Sequence, residues 1–304
     1  MTSPHRAPKG GTPQRPITAS RLVQLDRGLS ARDRAIVAAL GVAQVASTQQ
    51  LARIVIGDAD PATALRLARR SLQRLRATGL VRRFADRAWD RRVGAPGYVH
   101  ALTVAGLKLA GQVHGVGVHH RTSWRPSYAF LTHRLGISEL YTRLVELERT
   151  GGPRLLEFAA EGTAARRYRG PGGQTLMLRP DALVRLATGD VEVSHFVEVD
   201  RGTETSPATI AAKCQAYRRY ELSGEEVRRH GVFPGVLFIV PDRPRARVIA
   251  RVVNRLAPDA RDLFAVAVDS EALAALSRGE APTLADRAPP SPSSPLVGSP
   301  TAPH

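Results

Sequence analysis

Residues 179–204 read RPDALVRLATGDVEVSHFVEVDRGTE, and the way this stretch pairs with itself decides the fold around it. The largely apolar runs on either side of ATGD (187–190) spell two strands joined by a tight turn. Centring the turn between Gly189 and Asp190 sets Asp181 opposite Glu198, and opposed residues of an antiparallel pair project from one face. The two-residue period of a strand adds Asp200 to the face of Glu198. Ala182, Leu183, Val184, Phe196, Val197 and Val199 are apolar on both faces, which marks interior strands. Three carboxylates at one end of such a hairpin repel one another and lose hydration unless a cation joins them. A divalent ion with oxygen ligands, Mg²⁺ or Mn²⁺, held by Asp181, Glu198 and Asp200 is the expectation. The plainer alternative is that these acids cap turns or pair with Arg179 and Arg201.

Around the hairpin, helices and strands alternate. A helix over AFLTHRLGISELYTRLVELERT (129–150) precedes short strands at LLEF (155–158) and TLML (175–178). After the hairpin come a helix SPATIAAKCQAYRRYEL (206–222), a strand VFPGVLFIVP (232–241), a helix RARVIARVVNRL (245–256) and a strand LFAVAV (263–268). Strand–helix–strand order of this kind implies a parallel crossover, so the expected architecture is α/β with a mixed sheet flanked by helices.

Upstream, the charge changes character. The chain has 304 residues and a formal net charge of +17, which points to a polyanionic partner. Residues 21–123 contain 17 basic and 6 acidic residues, whereas residues 124–280 contain 23 and 20. The polyanion footprint therefore belongs mainly to the first of two expected domains, 21–123 and 124–280. Residues 1–20 and 281–304 hold 11 of the 22 prolines and read as disordered tails. Cys214 is the single cysteine, which excludes an internally disulfide-stapled scaffold. The N-terminal residues lack the apolar block of a secretory leader, and no run approaches the roughly 20 apolar residues of a membrane span. A cytoplasmic protein with no membrane partner is expected.

The first domain has clear helix signals. Ser30 and Asp33 form a capping box for RDRAIVAALG, Ser47 or Thr48 caps TQQLARIVI, and Asp60–Pro61 opens PATALRLARRSLQRLRATG, which Gly79 stops. In that third helix Leu65, Ala68, Leu72 and Leu75 make the buried stripe, with Arg66, Arg69, Arg70, Gln73 and Arg74 on the other side. Two strand-like pieces, LVRRF and GYVHAL, and a final helix TVAGLKLAGQV follow. Three helices and a hairpin in this order look like a winged helix-turn-helix. A recognition helix of that kind sets Arg against guanine edges and phosphates. Arg82, Arg83, Arg87, Arg91 and Arg92 can follow the backbone from the wing. DNA is the expected partner, with a protein-binding winged helix as the alternative.

At the acidic hairpin the chain resembles a known family. RPDA…FVEVDRGTE, followed by a helix with AAKCQAYRRY (211–220), is similar to the replication-relaxation family of plasmids and other mobile elements, over about residues 25–260. The resemblance implies an N-terminal winged helix joined to a restriction-endonuclease-like domain of the PD-(D/E)xK type. It also implies possible metal-dependent DNA nicking and partners among plasmid replication or transfer proteins. In that pattern Asp181 is the first aspartate and Glu198 the second acid, while carboxylates hold the metal and a lysine orients or deprotonates the attacking water. Asp200 stands where the lysine is expected. Lys213, on the following helix, is the replacement. The chain has 41 Arg and 3 Lys, a bias that reads as coding drift, yet Lys213 is the only lysine of the second domain. Two rivals stay open: a non-catalytic replication accessory or initiator with a degenerate nuclease fold, and a winged-helix transcriptional regulator.

Other residues carry weaker signals. His133 lies on the Ile137/Leu140/Leu144 side of its helix, a core position, with a role at the edge of the catalytic site as the functional reading. Glu139 falls opposite and reads as solvated. Tyr217 and Tyr220 invite a covalent tyrosine mechanism but lack a histidine cluster and read as packing. HGVGVHH (114–120) matches no zinc spacing. GPGG (170–173) lacks the Lys-Ser/Thr of a phosphate loop and reads as a hairpin turn.

Overall fold

The computed structural model describes residues 18–84, 98–113, 127–202 and 206–278. Its contacts divide the chain into two compact units at Ala164/Ala165. Both tails, apart from Thr18–Ser20, lie outside the described residues, as do Arg87, Arg91, Arg92 and HGVGVHH.

The first unit comprises α1 (Ala19–Arg27), α2 (Ala31–Ala43), β1 (Val45–Ser47), α3 (Thr48–Val55), α4 (Pro61–Ala77), β2 (Val81–Phe84), β3 (Val99–Leu102), α5 (Val104–Val113), α6 (Tyr128–Arg149) and β4 (Arg154–Ala160). The expected caps are present. Ser30 and Asp33 close a capping box on α2, Ser47 and Gln50 close another on α3, and Asp60 accepts from the Thr63 N–H ahead of Pro61. Each satisfies backbone donors that a first helical turn leaves orphaned. Gly79, at φ +76°, ends α4 in the left-handed region. Strands order β1-β3-β2, all antiparallel. Ile36, Leu40, Leu51, Leu72, Leu75, Leu80 and Leu109 meet in one apolar core.

Two features differ from the sequence expectation. Residues 19–27, assigned partly to a tail, form α1, which Thr18 caps and which buries Leu22. The helix expected to open the second domain, α6, packs within the first unit: Leu131 and Leu135 join Val45, Val99 and Ala101 in a second cluster. A boundary at residue 124 places that helix with the charge-balanced half; its apolar stripe places it with β1 and β3.

The second unit comprises β5 (Arg166–Arg169), β6 (Thr175–Leu178), β7 (Ala182–Thr188), β8 (Val191–Val199), α7 (Pro207–Leu222), α8 (Glu225–His230), β9 (Gly235–Val240), α9 (Arg243–Val253), α10 (Pro258–Arg261), β10 (Phe264–Val268) and α11 (Ala272–Arg278). GPGG is the turn of the β5–β6 hairpin, with Gly173 at φ +77°. Within this unit the main sheet runs β10-β9-β8-β7. Strands β7 and β8 are antiparallel, and β8, β9 and β10 run parallel through the crossovers α7 and α9. The two crossover helices pack on each other. This is a mixed α/β architecture, and it brings the carboxyl ends of three parallel strands to one edge.

Candidate functional site

The β7–β8 ladder pairs Thr188 with Val191 and Ala182 with Val197, the register that the centre between Gly189 and Asp190 requires. Asp181 continues it. Its N–H donates to the Val197 carbonyl at 3.1 Å, and its Oδ2 accepts the Val199 N–H at 2.8 Å. Asp181 therefore sits astride Glu198.

Glu198 is 3% exposed. Lys213 Nζ donates to its Oε2 at 2.8 Å and Tyr217 Oη to its Oε1 at 2.6 Å. Lys213 and Tyr217 are four residues apart and so share one face of α7. Burial, and next the negative charge of Asp181, push the Glu198 carboxyl up from 4.5 to about 7, against the pull of Lys213 and the two hydrogen bonds. The lysine side chain keeps 42% of its surface in solvent, so it bridges the buried acid to the outside. Tyr217 is buried and packs against Phe196, with ring centroids 5.8 Å apart. Burial pushes its phenol well above the ordinary range. That environment suits a hydrogen-bond donor and opposes a tyrosinate nucleophile. Tyr220 is likewise buried and donates to Glu226, itself buried and paired with Arg166 at 2.9 Å.

Asp200, directly after β8, meets a different cation from Glu198. Arg245 on the first turn of α9 binds it with Nη2 at 2.6 Å and Nε at 3.2 Å, each side chain 11% exposed. Its Oδ1 also accepts the Gly202 N–H at 2.6 Å. Asp181 and Glu198 thus lie close to one another, whereas Asp200 is paired with arginine. Among the described residues no group of three or more His, Cys, Asp and Glu side chains is placed to share a metal ion. Asp181 and Glu198 remain as a two-carboxylate set, the number Mg²⁺ commonly takes from protein beside substrate phosphates. Arg245 and the polar role of Tyr217 were missing from the sequence reading. The four-residue step from Lys213 to Tyr217 was a usable signal for the second, and none existed for the first.

A family model described as replication-relaxation matches residues 38–236 of the 304. The chain belongs to the replication-relaxation family. The matched span runs from α2 into β9 and includes Asp181, Glu198, Asp200, Lys213 and Tyr217. No curated protein and no solved structure matches the chain.

In the first unit of this family member, Arg66, Arg69, Arg70 and Gln73 are exposed along α4 while Ala64, Ala68, Leu72 and Leu75 face the core. Arg74 is different. Its Nη2 lies 2.8 Å from Oδ1 of buried Asp33 and 3.0 Å from Ser71 Oγ, tying α4 to the capping box of α2. Arg82 is half-buried beside the Phe84 ring at 4.8 Å, and Arg83 stacks 4.0 Å from the exposed Tyr98 ring. His100, opposite Arg83 in the ladder, is held down at about 4 by burial and by the nearby cations Arg76 and Arg83. Arg76, absent from the sequence reading, is exposed near the end of α4 and is one of the cations that lower His100.

His133 is half-buried on α6 and belongs to the first unit, whereas the carboxylates belong to the second. Glu139 is not simply solvated: it accepts from Arg53 at 2.6 Å and from Gln50 at 3.0 Å. Arg53 and Glu139 help line a cleft of about 650 Å³ among α3, α4 and α6, which contains Leu65 and none of the predicted site residues.

Proposed function

We propose that this replication-relaxation protein acts on DNA during plasmid or mobile-element replication or relaxation. In this reading the first unit serves as a winged-helix-type DNA holder and the second as an endonuclease-like, metal-dependent nicking centre. The carrying observation is the buried Glu198 with Asp181 astride it and Lys213 reaching it from solvent. The exposed arginines of α4 support the DNA half of the reading through phosphate charge and guanine recognition.

Asp181 and Glu198 are the residues that would hold Mg²⁺ or Mn²⁺. A bound ion would supply charge neutralisation at the phosphodiester and favour an ionised water. Lys213 Nζ, anchored on Glu198, holds the attacking water at the mouth of the site. Tyr217 keeps the second Glu198 oxygen hydrogen-bonded and in place. Water adds to phosphorus as its proton passes to solvent, the phosphorus–oxygen bond to the departing strand end breaks, and the departing oxygen takes up a proton from solvent while the Lys213 ammonium stays charged. Asp200 acts one step removed, fixing the end of β8 to α9 through Arg245.

A supercoiled plasmid with Mg²⁺ or Mn²⁺ tests this directly. Wild type is expected to yield open circles, and Lys213→Ala to slow nicking by about 10²-fold or more. Nicking that persists unchanged in Asp181→Ala defeats the assignment. A second reading, a DNA-holding accessory with no cleavage, is favoured by the arginine-neutralised acid at the usual lysine position. Binding without any nicking under either metal selects it.

A further inference from the structure

The cations at the open end of the β7–β8 hairpin fall into two groups. Lys213 pairs with Glu198, Arg245 with Asp200, and Arg243 with Glu271 at 2.8 Å. Arg179 and Arg201 are exposed and form no ion pair with any described residue. Arg179 lies two residues before Asp181, ahead of buried Pro180, and Arg201 follows Asp200 directly. Both adjoin hydrogen-bonded segments: Asp181 is bonded to the backbone on both sides of Glu198, and Asp200 accepts the Gly202 N–H while Gly202 adopts φ +72°. An exposed, unpaired arginine at each strand end is open to anions from solvent, while Glu198 already has Lys213 as its cation.

We propose that Arg179 and Arg201 are phosphate-positioning residues for the DNA strand at this site, so that the second unit contacts DNA in its own right. This rests on the nuclease-like reading above for the identity of the polyanion. A nicked strand presents phosphates on both sides of the scissile one, and an exposed arginine at each of the two strand ends offers a cation for them. The near-balanced total charge of the unit does not oppose this, because Arg243 and Arg245 at this edge are already paired with acids.

The test is a salt series of DNA affinity, read by fluorescence anisotropy of the full chain with a labelled duplex and Ca²⁺ replacing Mg²⁺. Losing two phosphate contacts in Arg179→Gln/Arg201→Gln is expected to flatten the slope of log affinity against log salt by about 1.8. Arg179→Lys/Arg201→Lys, which keeps both charges, is expected to retain the wild-type slope. A glutamine double variant with an unchanged slope overturns the proposal, as does a lysine double variant that loses the slope equally. Wild type that shows the slope loss on substitution yet never nicks with Mg²⁺ refutes cleavage alone and leaves these contacts standing.

Discussion

Glu198 is the residue on which the second unit turns. A carboxyl buried beside another carboxylate holds its proton to higher pH in the folded protein than in the unfolded chain. Between about 4.5 and about 7 the folded state therefore binds more protons, and stability falls as pH rises through that window. Glu198→Gln removes this dependence. The melting temperature of the variant minus that of wild type, measured without metal, is expected to grow by roughly 3 °C or more between pH 5 and pH 8. A difference that is flat with pH contradicts the burial argument. The pairing of Asp181 with Glu198 was legible because a hairpin register follows from the turn centre, and Lys213 was reached through the family resemblance, with the scarcity of lysine in this chain as added support. The diversion of Asp200 to Arg245 was not legible, since strand parity gives a face but says nothing about which helix residue arrives there.

At the scale of elements, α4 shows how one helix divides its arginines between holding the fold and facing solvent. Arg74 is spent on Asp33, whereas Arg69 and Arg70 are exposed on the same helix. Arg74→Ala is expected to lower stability by about 1 kcal/mol, because it strips a buried carboxylate of its cation while the Ser30 cap remains. It should change the salt dependence of DNA binding little. Arg69→Ala/Arg70→Ala should do the reverse, leaving the melting temperature within about 1 °C and reducing the salt slope by about 1.8. Identical behaviour of the two variants contradicts the division. Helix caps were readable because Ser, Asp and Asp-Pro act on their own first turn. Strand β1 was not, since three residues carry no period and owe their conformation to pairing with β3.

For the whole molecule, charge and packing divide the chain at different places. Net charge changes near residue 124, but contacts change at Ala164/Ala165, because α6 is near-neutral outside and apolar towards β1 and β3. Metal binding is a whole-chain test that does not depend on turnover. Millimolar Mg²⁺ is expected to raise the melting temperature of wild type at pH 8, since an ion that binds only the folded state stabilises it. Asp181→Asn should abolish that rise, and a rise that survives in it locates the ion elsewhere. No described helix is long and apolar enough to cross a membrane.

By itself the sequence determined the local features: caps, turn centres, strand parity, the concentration of arginine on α4 and the motif that places the chain in its family. Each depends on residues within about a turn or a hairpin of one another, where covalent geometry fixes what can meet. Only the tertiary structure decided how those pieces were paired: Arg245 with Asp200, Arg74 with Asp33, Tyr217 with Glu198, and α6 with the first unit. These are contacts between elements whose approach depends on core packing, and a linear pattern of apolar residues does not encode which charged side chain on a docked helix reaches a given acid.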